Sequence, residues 1–184
     1  MNRVSLKLKI EFALPTLKQI LWRSGCPPPQ AGPEIEQSAE KALTVIKRLS
    51  SNAMYDAVFF NPGEHPEYLR EIWPDKLISV SMTSLGAEID ELLDGPAELD
   101  RFMLDSAASV AVESYMKALQ ATIAVEIAMI PTKRIAPGYG DFPLSVQKNI
   151  VDLFPHSGVT CNESYMLTPV KSMTGVTGWI SQND

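Results

Sequence analysis

The sequence predicts an α+β fold in which a twisted, mainly antiparallel sheet is flanked by helices. Residues 4–12 alternate apolar and polar side chains, which is the pattern of a half-solvated strand. Residues 34–49 repeat apolar side chains at helical spacing and carry acidic residues in the first turn, which indicates an amphipathic helix. Further strands are predicted at 53–60, at 76–82 and, as a strand or hairpin punctuated by glycines, at 172–180.

The remaining elements are indicated by start and stop signals along the chain. Pro15 and Thr16 open a short helix that Gly25 ends, and the proline-rich stretch 26–33 predicts a stiff connector without helix. Residues 97–128 are predicted to be mostly helical. The other predicted elements are a helix ending near residue 94, a helix at 144–154, and short strands at 158–160 and 163–169.

Composition excludes several classes of protein. A chain of 184 residues predicts a single domain spanning residues 1–184, and a net charge of −6 argues against a nucleic-acid binder. No apolar run approaches the length of a membrane-spanning helix, and the first residues lack the pattern of a signal peptide. With only two cysteines there is neither a disulfide framework nor a paired-cysteine metal site. We expect a cytoplasmic protein without membrane or nucleic-acid partners.

Motifs of self-contained catalysts are absent from the sequence. It contains no glycine-rich dinucleotide fingerprint, no phosphate-binding loop and no nucleophile elbow. Neither histidine has an evident serine or cysteine partner, and His65 is expected to be a solvated loop residue rather than a metal ligand. We therefore expect no catalytic residues and no metal site.

The segment Arg134-Ile-Ala-Pro-Gly-Tyr-Gly-Asp-Phe-Pro143 is the strongest candidate for a binding site. Gly138 can take a positive φ and let a ligand approach the backbone closely. Arg134 offers a planar fork that suits a carboxylate or a phosphate, and Tyr139 offers a stacking face with a polar tip. Composition alone favours an ordered surface loop between two helices, since Gly and Pro mark loops of every kind.

The middle of the long predicted helix carries small residues and a polar row. Asp105, Ser109 and Glu113 are four residues apart and therefore share one face. Two interpretations remain open: a helix packed on its alanine side with its carboxylates in water, or a polar row beside a ligand.

Three blocks together resemble the activation (reactivation) domain of cobalamin-dependent methionine synthase, especially its free-standing activation-subunit relatives. They are the Arg134–Pro143 segment, the small-residue helix at 104–113, and residues 158–175 with Glu163-Ser-Tyr-Met-Leu-Thr-Pro169. The resemblance implies an S-adenosylmethionine site formed by Arg134, Ala136, Gly138 and Tyr139. It also implies that a carboxylate balances the positive charges of the ligand, the candidates being Asp105, Glu113 and Glu163.

The resemblance implies an accessory domain that supports reactivation of a cobalamin enzyme. The implied partner is the cobalamin-binding module of methionine synthase or another corrinoid protein, with a flavodoxin- or ferredoxin-type electron donor. The chain departs from methionine synthase at Ser109, where that enzyme has a ligand-contacting glutamate, and at Thr177, where it has a tyrosine. The alternative function is a scaffold or sensor that docks on a corrinoid protein without methyl transfer.

Overall fold

The computed structural model describes residues 4–5, 10 and 12–182. Its helices are α1 (Leu17–Arg23), α2 (Pro33–Leu49), α3 (Glu88–Leu93), α4 (Glu98–Glu126) and α5 (Val146–Asp152). Its strands are β1 (Val4–Ser5), β2 (Met54–Phe60), β3 (Leu77–Ser84), β4 (Met129–Pro131), β5 (Thr160–Cys161), β6 (Leu167–Thr168) and β7 (Ser172–Ser181). Single turns of 3-10 helix occur at Pro28–Gln30, Ser50–Asn52 and Glu67–Leu69.

The central sheet is antiparallel throughout its described part. Its strand order is β1-β2-β3-β7-β4, and β5 and β6 form a separate two-stranded hairpin. The longest pairing joins β3 to β7, with Val80 opposite Val176 at its middle. This sheet and the helices around it confirm the predicted α+β fold.

Both faces of the sheet are covered, because alternate side chains of each strand point to opposite sides. On β2, Ala57 and Phe59 pack with Leu119 of α4. Val58 and Phe60 join the opposite core, which includes side chains of α5. The sheet is therefore the middle layer of the fold.

A helical layer of α1, α2 and α4 forms its own apolar core. The small side chains Ala107, Ala108 and Ala111 of α4 are completely buried in it. A polar contact joins α2 to the start of α4, where the Ser38 hydroxyl donates to Asp100 Oδ1 at 2.6 Å. The alanine side of α4 is thus packed against the other helices, as the first interpretation of this helix requires.

Most predicted elements are confirmed within a few residues of their predicted ends. The strands predicted at 158–160 and 163–169 are shorter than predicted: the structure has only β5 and β6 there, and residues 162–166 form the turn between them. The predicted strand at 4–12 lies largely outside the described residues, which show only Val4 and Ser5 paired with β2. The connector at 26–33 was predicted without helix, but it contains the 3-10 turn Pro28–Gln30, because proline is compatible with the first positions of a helical turn.

Two further features of the fold differ from the sequence-based predictions. The strand β4 was not predicted; it pairs with β7, with Ile130 opposite Ile180. His65 was expected in solvent, but it is buried, with its Nε2 3.0 Å from the backbone oxygen of Lys76. Folding of the 61–76 segment against the sheet removes this ring from water.

None of the helices in the described part of the chain combines the length and the apolar character needed to cross a membrane.

Candidate functional site

The 134–143 segment forms a compact loop anchored to the edge of β7. Ile135 and Val176 exchange two backbone hydrogen bonds of 3.0 and 2.8 Å. Further along, the Gly138 N–H donates to the Phe142 carbonyl at 2.8 Å, and Gly138 has a φ of +88°. The loop is thus held by its own backbone, with a glycine where the chain enters the left-handed region.

Arg134 lies at the start of this loop and crosses the backbone of β7. A Cβ atom placed on Gly175 would lie 2.5 Å from Arg134 Cδ, so the glycine provides the space that the arginine occupies. The guanidinium then reaches α4, where Nη2 lies 2.9 Å from both carboxylate oxygens of Glu113. The Arg134 side chain is only 17% exposed, which makes this a partly buried ion pair.

A cleft of about 710 Å³ opens beside this pair. We call it the adenosyl cleft, after the ligand that the sequence resemblance implies. It is lined by Glu113, Lys133, Arg134, Ile135, Ala136, Pro137, Tyr139, Gly140, Gln147, Leu167, Ser172, Met173 and Thr174. Its size is within the range of small-molecule sites.

Two buried polar residues also line the adenosyl cleft and were not identified from the sequence. The Gln147 Nε2 donates to Thr174 Oγ1 at 2.9 Å, and that hydroxyl in turn lies 3.1 Å from Gln147 Oε1. Gln147 directly follows Val146 of the apolar stripe of α5, and Thr174 is one of several small polar residues and glycines in β7. Neither position gives a local signal, since only packing of α5 on β7 brings the two side chains together.

Five of the predicted site residues converge here. Arg134, Ala136, Tyr139 and Glu113 line the adenosyl cleft, and Gly138 belongs to the same loop. The Tyr139 side chain is exposed and stands at the rim of the cleft, available for a stacking contact.

Asp105 and Glu163 do not line the adenosyl cleft. Asp105 forms an ion pair of 2.7 Å with Lys171, whose ammonium also donates to Ser109 Oγ at 2.9 Å. Glu163 is exposed in the turn between β5 and β6, which Asn162 closes with its side chain. Of the predicted polar row, therefore, only Glu113 reaches the cleft.

The two positions at which the sequence departs from methionine synthase also lie outside the adenosyl cleft. Ser109 donates to the Asp105 carbonyl one turn earlier on α4, at 2.9 Å. Thr177 is buried on β7, opposite Ser79 of β3.

The chemistry that this arrangement can perform is binding and positioning. A guanidinium next to a carboxylate is complementary to a zwitterionic α-amino acid, whose own carboxylate and ammonium group are a few bonds apart. The described residues contain no group of three His, Cys, Asp or Glu side chains arranged to hold a metal ion.

Comparison with known proteins identifies the fold. No protein-family model matches the chain, and no curated protein sequence does. A solved structure does match, described as the crystal structure of the MetH reactivation domain bound to AdoHcy (S-adenosylhomocysteine). The match covers 95% of this chain and 79% of that one, with a TM-score of 0.58 and 15% sequence identity. This chain therefore has the fold of the MetH reactivation domain.

Proposed function

We propose that residues 1–184 act as one S-adenosylmethionine-binding module that supports reductive remethylation of the cobalamin of methionine synthase or a related corrinoid methyltransferase. The observation that carries the proposal is the Arg134–Glu113 pair on the wall of the adenosyl cleft. The shared fold with a domain described as binding AdoHcy supports it.

The residues of the cleft fit the ligand group by group. Arg134 would bind the carboxylate of the amino-acid moiety, and Glu113 its ammonium group. The backbone at Ala136 and Gly138 is open to the adenosine, because little side chain obstructs it. Tyr139 would cover the ring or hydrogen-bond the ribose.

In this proposal the protein contributes position and charge rather than acid–base chemistry. When bound, S-adenosylmethionine would supply a methyl group to the cobalt of a partner protein, once the electron donor has reduced that cobalt by one electron to cob(I), and would leave as AdoHcy. The walls of the cleft would hold the ligand in one orientation, so that the transferable methyl faces the docked partner. Glu163, which is exposed outside the cleft, is proposed only as a distant charge that attracts the cationic ligand, whereas the charge of Asp105 is balanced by Lys171.

The proposed partners are a corrinoid protein and a flavodoxin- or ferredoxin-type electron donor. A methyl donor held in an open cleft can reach cobalt only if the two proteins dock over that cleft. Such docking must compete with the catalytic arrangement of the partner, so it must be favoured when the cofactor is inactive. Cob(II) should therefore promote association, and methylcobalamin should oppose it.

Ligand binding is the first test of this function. Calorimetric titration and thermal denaturation with S-adenosylmethionine and AdoHcy should both show binding, and a ligand at a hundredfold excess over its Kd should stabilise the fold by about 2.7 kcal/mol. Absence of both signals at millimolar ligand would contradict methyl donation and leave a scaffold that docks without it.

Association with corrinoid proteins is the second test. Candidate corrinoid proteins of the same organism would be prepared with cob(II) and with methylcobalamin, and titrated with this protein. Tighter binding to the cob(II) form is expected. Equal affinity for both forms would remove the switching role, and no binding to any of them would contradict a reactivation function. Ligand binding without partner binding would instead identify a sensor.

A further inference from the structure

A second cleft lies beside the adenosyl cleft and has a different chemical character. Its volume is about 700 Å³, and α1, α4 and the segment before β7 contribute to it. We call it the basic cleft. It is lined by Lys18, Gln19, Trp22, Arg23, Ser109, Val110, Val112, Glu113, Ser114, Lys117, Tyr139, Val170, Lys171 and Met173.

Positive charge is concentrated in the basic cleft although the chain as a whole is acidic. Four of the 16 lysines and arginines line it, against one of the 22 acidic residues. That one carboxylate, Glu113, is shared between Arg134 at 2.9 Å and Lys117 at 3.5 Å. Lys18 and Arg23 form no ion pair with any other residue in the described part of the chain. The cleft therefore favours an anion.

Lys171 distinguishes this cleft from a surface with scattered lysines. Its side chain is only 13% exposed, and its ammonium is held 2.7 Å from Asp105 Oδ1 and 2.9 Å from Ser109 Oγ. An ammonium has three donors, so these two contacts fix its position and leave one N–H. Lys18, Arg23 and Lys117 are exposed around it, and so a phosphate group could be contacted from several sides.

Two aromatic side chains on the same cleft are unusually open to solvent. Trp22 is 61% exposed and Tyr139 is 75% exposed. Large aromatic rings are costly to leave in water, whereas a planar ligand could stack on either of them. Cations together with free aromatic faces are the two features that recognise a phosphorylated aromatic compound.

We propose that the basic cleft binds a ligand of the nucleotide class, its phosphates on Lys171, Lys18 and Arg23 and its ring on Trp22. A small ligand suits a concave site of this volume with a nearly buried cation in its lining. The site adjoins the adenosyl cleft, since Glu113, Tyr139 and Met173 line both. The proposal does not depend on binding of S-adenosylmethionine.

The test uses GDP as the probe, because its guanine is a poor substitute for adenine in the adenosyl cleft. Calorimetric titration of the full chain should show binding that weakens as salt is added. Guanosine and inorganic pyrophosphate should each bind more weakly than GDP, because each lacks half of the contacts. Pyrophosphate binding as tightly as GDP would overturn the aromatic part of the proposal.

Matched double variants test the assignment of the cations. Lys18→Gln with Arg23→Gln removes two exposed charges from the basic cleft and should weaken GDP binding by at least about tenfold. Lys47→Gln with Lys148→Gln removes the same charge from exposed positions of α2 and α5 and should change it by less than about twofold. Equal weakening in both, absence of GDP binding, or complete displacement of GDP by AdoHcy would overturn the proposal.

Discussion

Arg134 and Gly175 are sterically coupled, since the arginine side chain occupies the space in which a Cβ atom on residue 175 would lie. That atom would be 2.5 Å from Cδ and 2.9 Å from Cγ of Arg134. Gly175 lies inside β7 opposite Ser81, and its φ is not positive. The glycine is therefore required by a side chain from another segment, not by its own backbone.

Gly175→Ala should displace Arg134 and weaken AdoHcy binding. Since the methyl group overfills a packed contact, the free energy of unfolding should fall by about 1–3 kcal/mol. Chemical denaturation and calorimetric titration would measure the two effects. The control is the same substitution in an Arg134→Ala background, where the clash is gone and Gly175→Ala should cost much less. An equal cost in both backgrounds would show that the strain lies elsewhere.

Arg134→Lys should weaken AdoHcy and S-adenosylmethionine binding although the positive charge is kept. An ammonium cannot reproduce the planar fork, and loss of a charge-assisted hydrogen bond costs about 1–3 kcal/mol. Titration calorimetry would show this as a rise in Kd of roughly five- to 150-fold. Arg70→Lys, an exposed arginine outside the adenosyl cleft, is the matched control and should leave the Kd unchanged. An unchanged Kd for Arg134→Lys would assign Arg134 a purely structural role.

Gly138→Ala should destabilise the loop more than Gly140→Ala. Both glycines have a positive φ, +88° and +58°, so either alanine should cost about 1–2 kcal/mol in backbone strain. At Gly138 the added Cβ would also lie 3.2 Å from Leu144 Cδ1, whereas at Gly140 nothing lies within 4 Å. Gly138→Val should be worse still. Denaturation midpoints and AdoHcy titrations of the variants would rank them, and equal losses at the two glycines would argue against crowding by Leu144.

Asp100 should make the helical layer sensitive to acid. The Ser38 hydroxyl and the Lys41 ammonium contact its carboxylate at 2.6 and 3.2 Å and lower its pKa below the ordinary 3.8. Because the folded-state pKa is the lower one, this stabilisation is fully present above about pH 4 and is lost as the pH falls through the folded-state pKa. The wild type should therefore have a higher Tm than Asp100→Asn at neutral pH, and this difference in Tm should become smaller in acid.

A matched variant separates this effect from general acid sensitivity. Ser38→Ala keeps the carboxylate of Asp100 and removes the hydroxyl that contributes most to its lowered pKa. The loss in Tm caused by Ser38→Ala should shrink in acid, because the Ser38 contact favours the ionised carboxylate. If that loss did not vary with pH, the Ser38–Asp100 contact would not be the cause.

The sequence by itself determined the main elements and the principal residues of the adenosyl cleft. Helices α2, α4 and α5 and strands β2, β3 and β7 were predicted because helical spacing, residue type and turn signals are properties of near neighbours in the chain. Arg134 and Glu113 were each singled out by residue type and position. The family resemblance added the fold, which the comparison with the MetH reactivation domain confirms.

Tertiary structure alone decided which of these groups meet. The three residues of β4 are too few to show a period, and they form a strand because β7 offers a free edge. Arg134 and Glu113 are 21 residues apart, and Lys171 and Ser109 are 62 apart. The periodicity of apolar residues indicates only whether a segment is a helix or a strand and which of its sides is apolar. The way α4 crosses the sheet directs Glu113 into the adenosyl cleft and places Asp105 and Ser109 with Lys171 outside it. This crossing depends on packing between segments that are distant in the sequence.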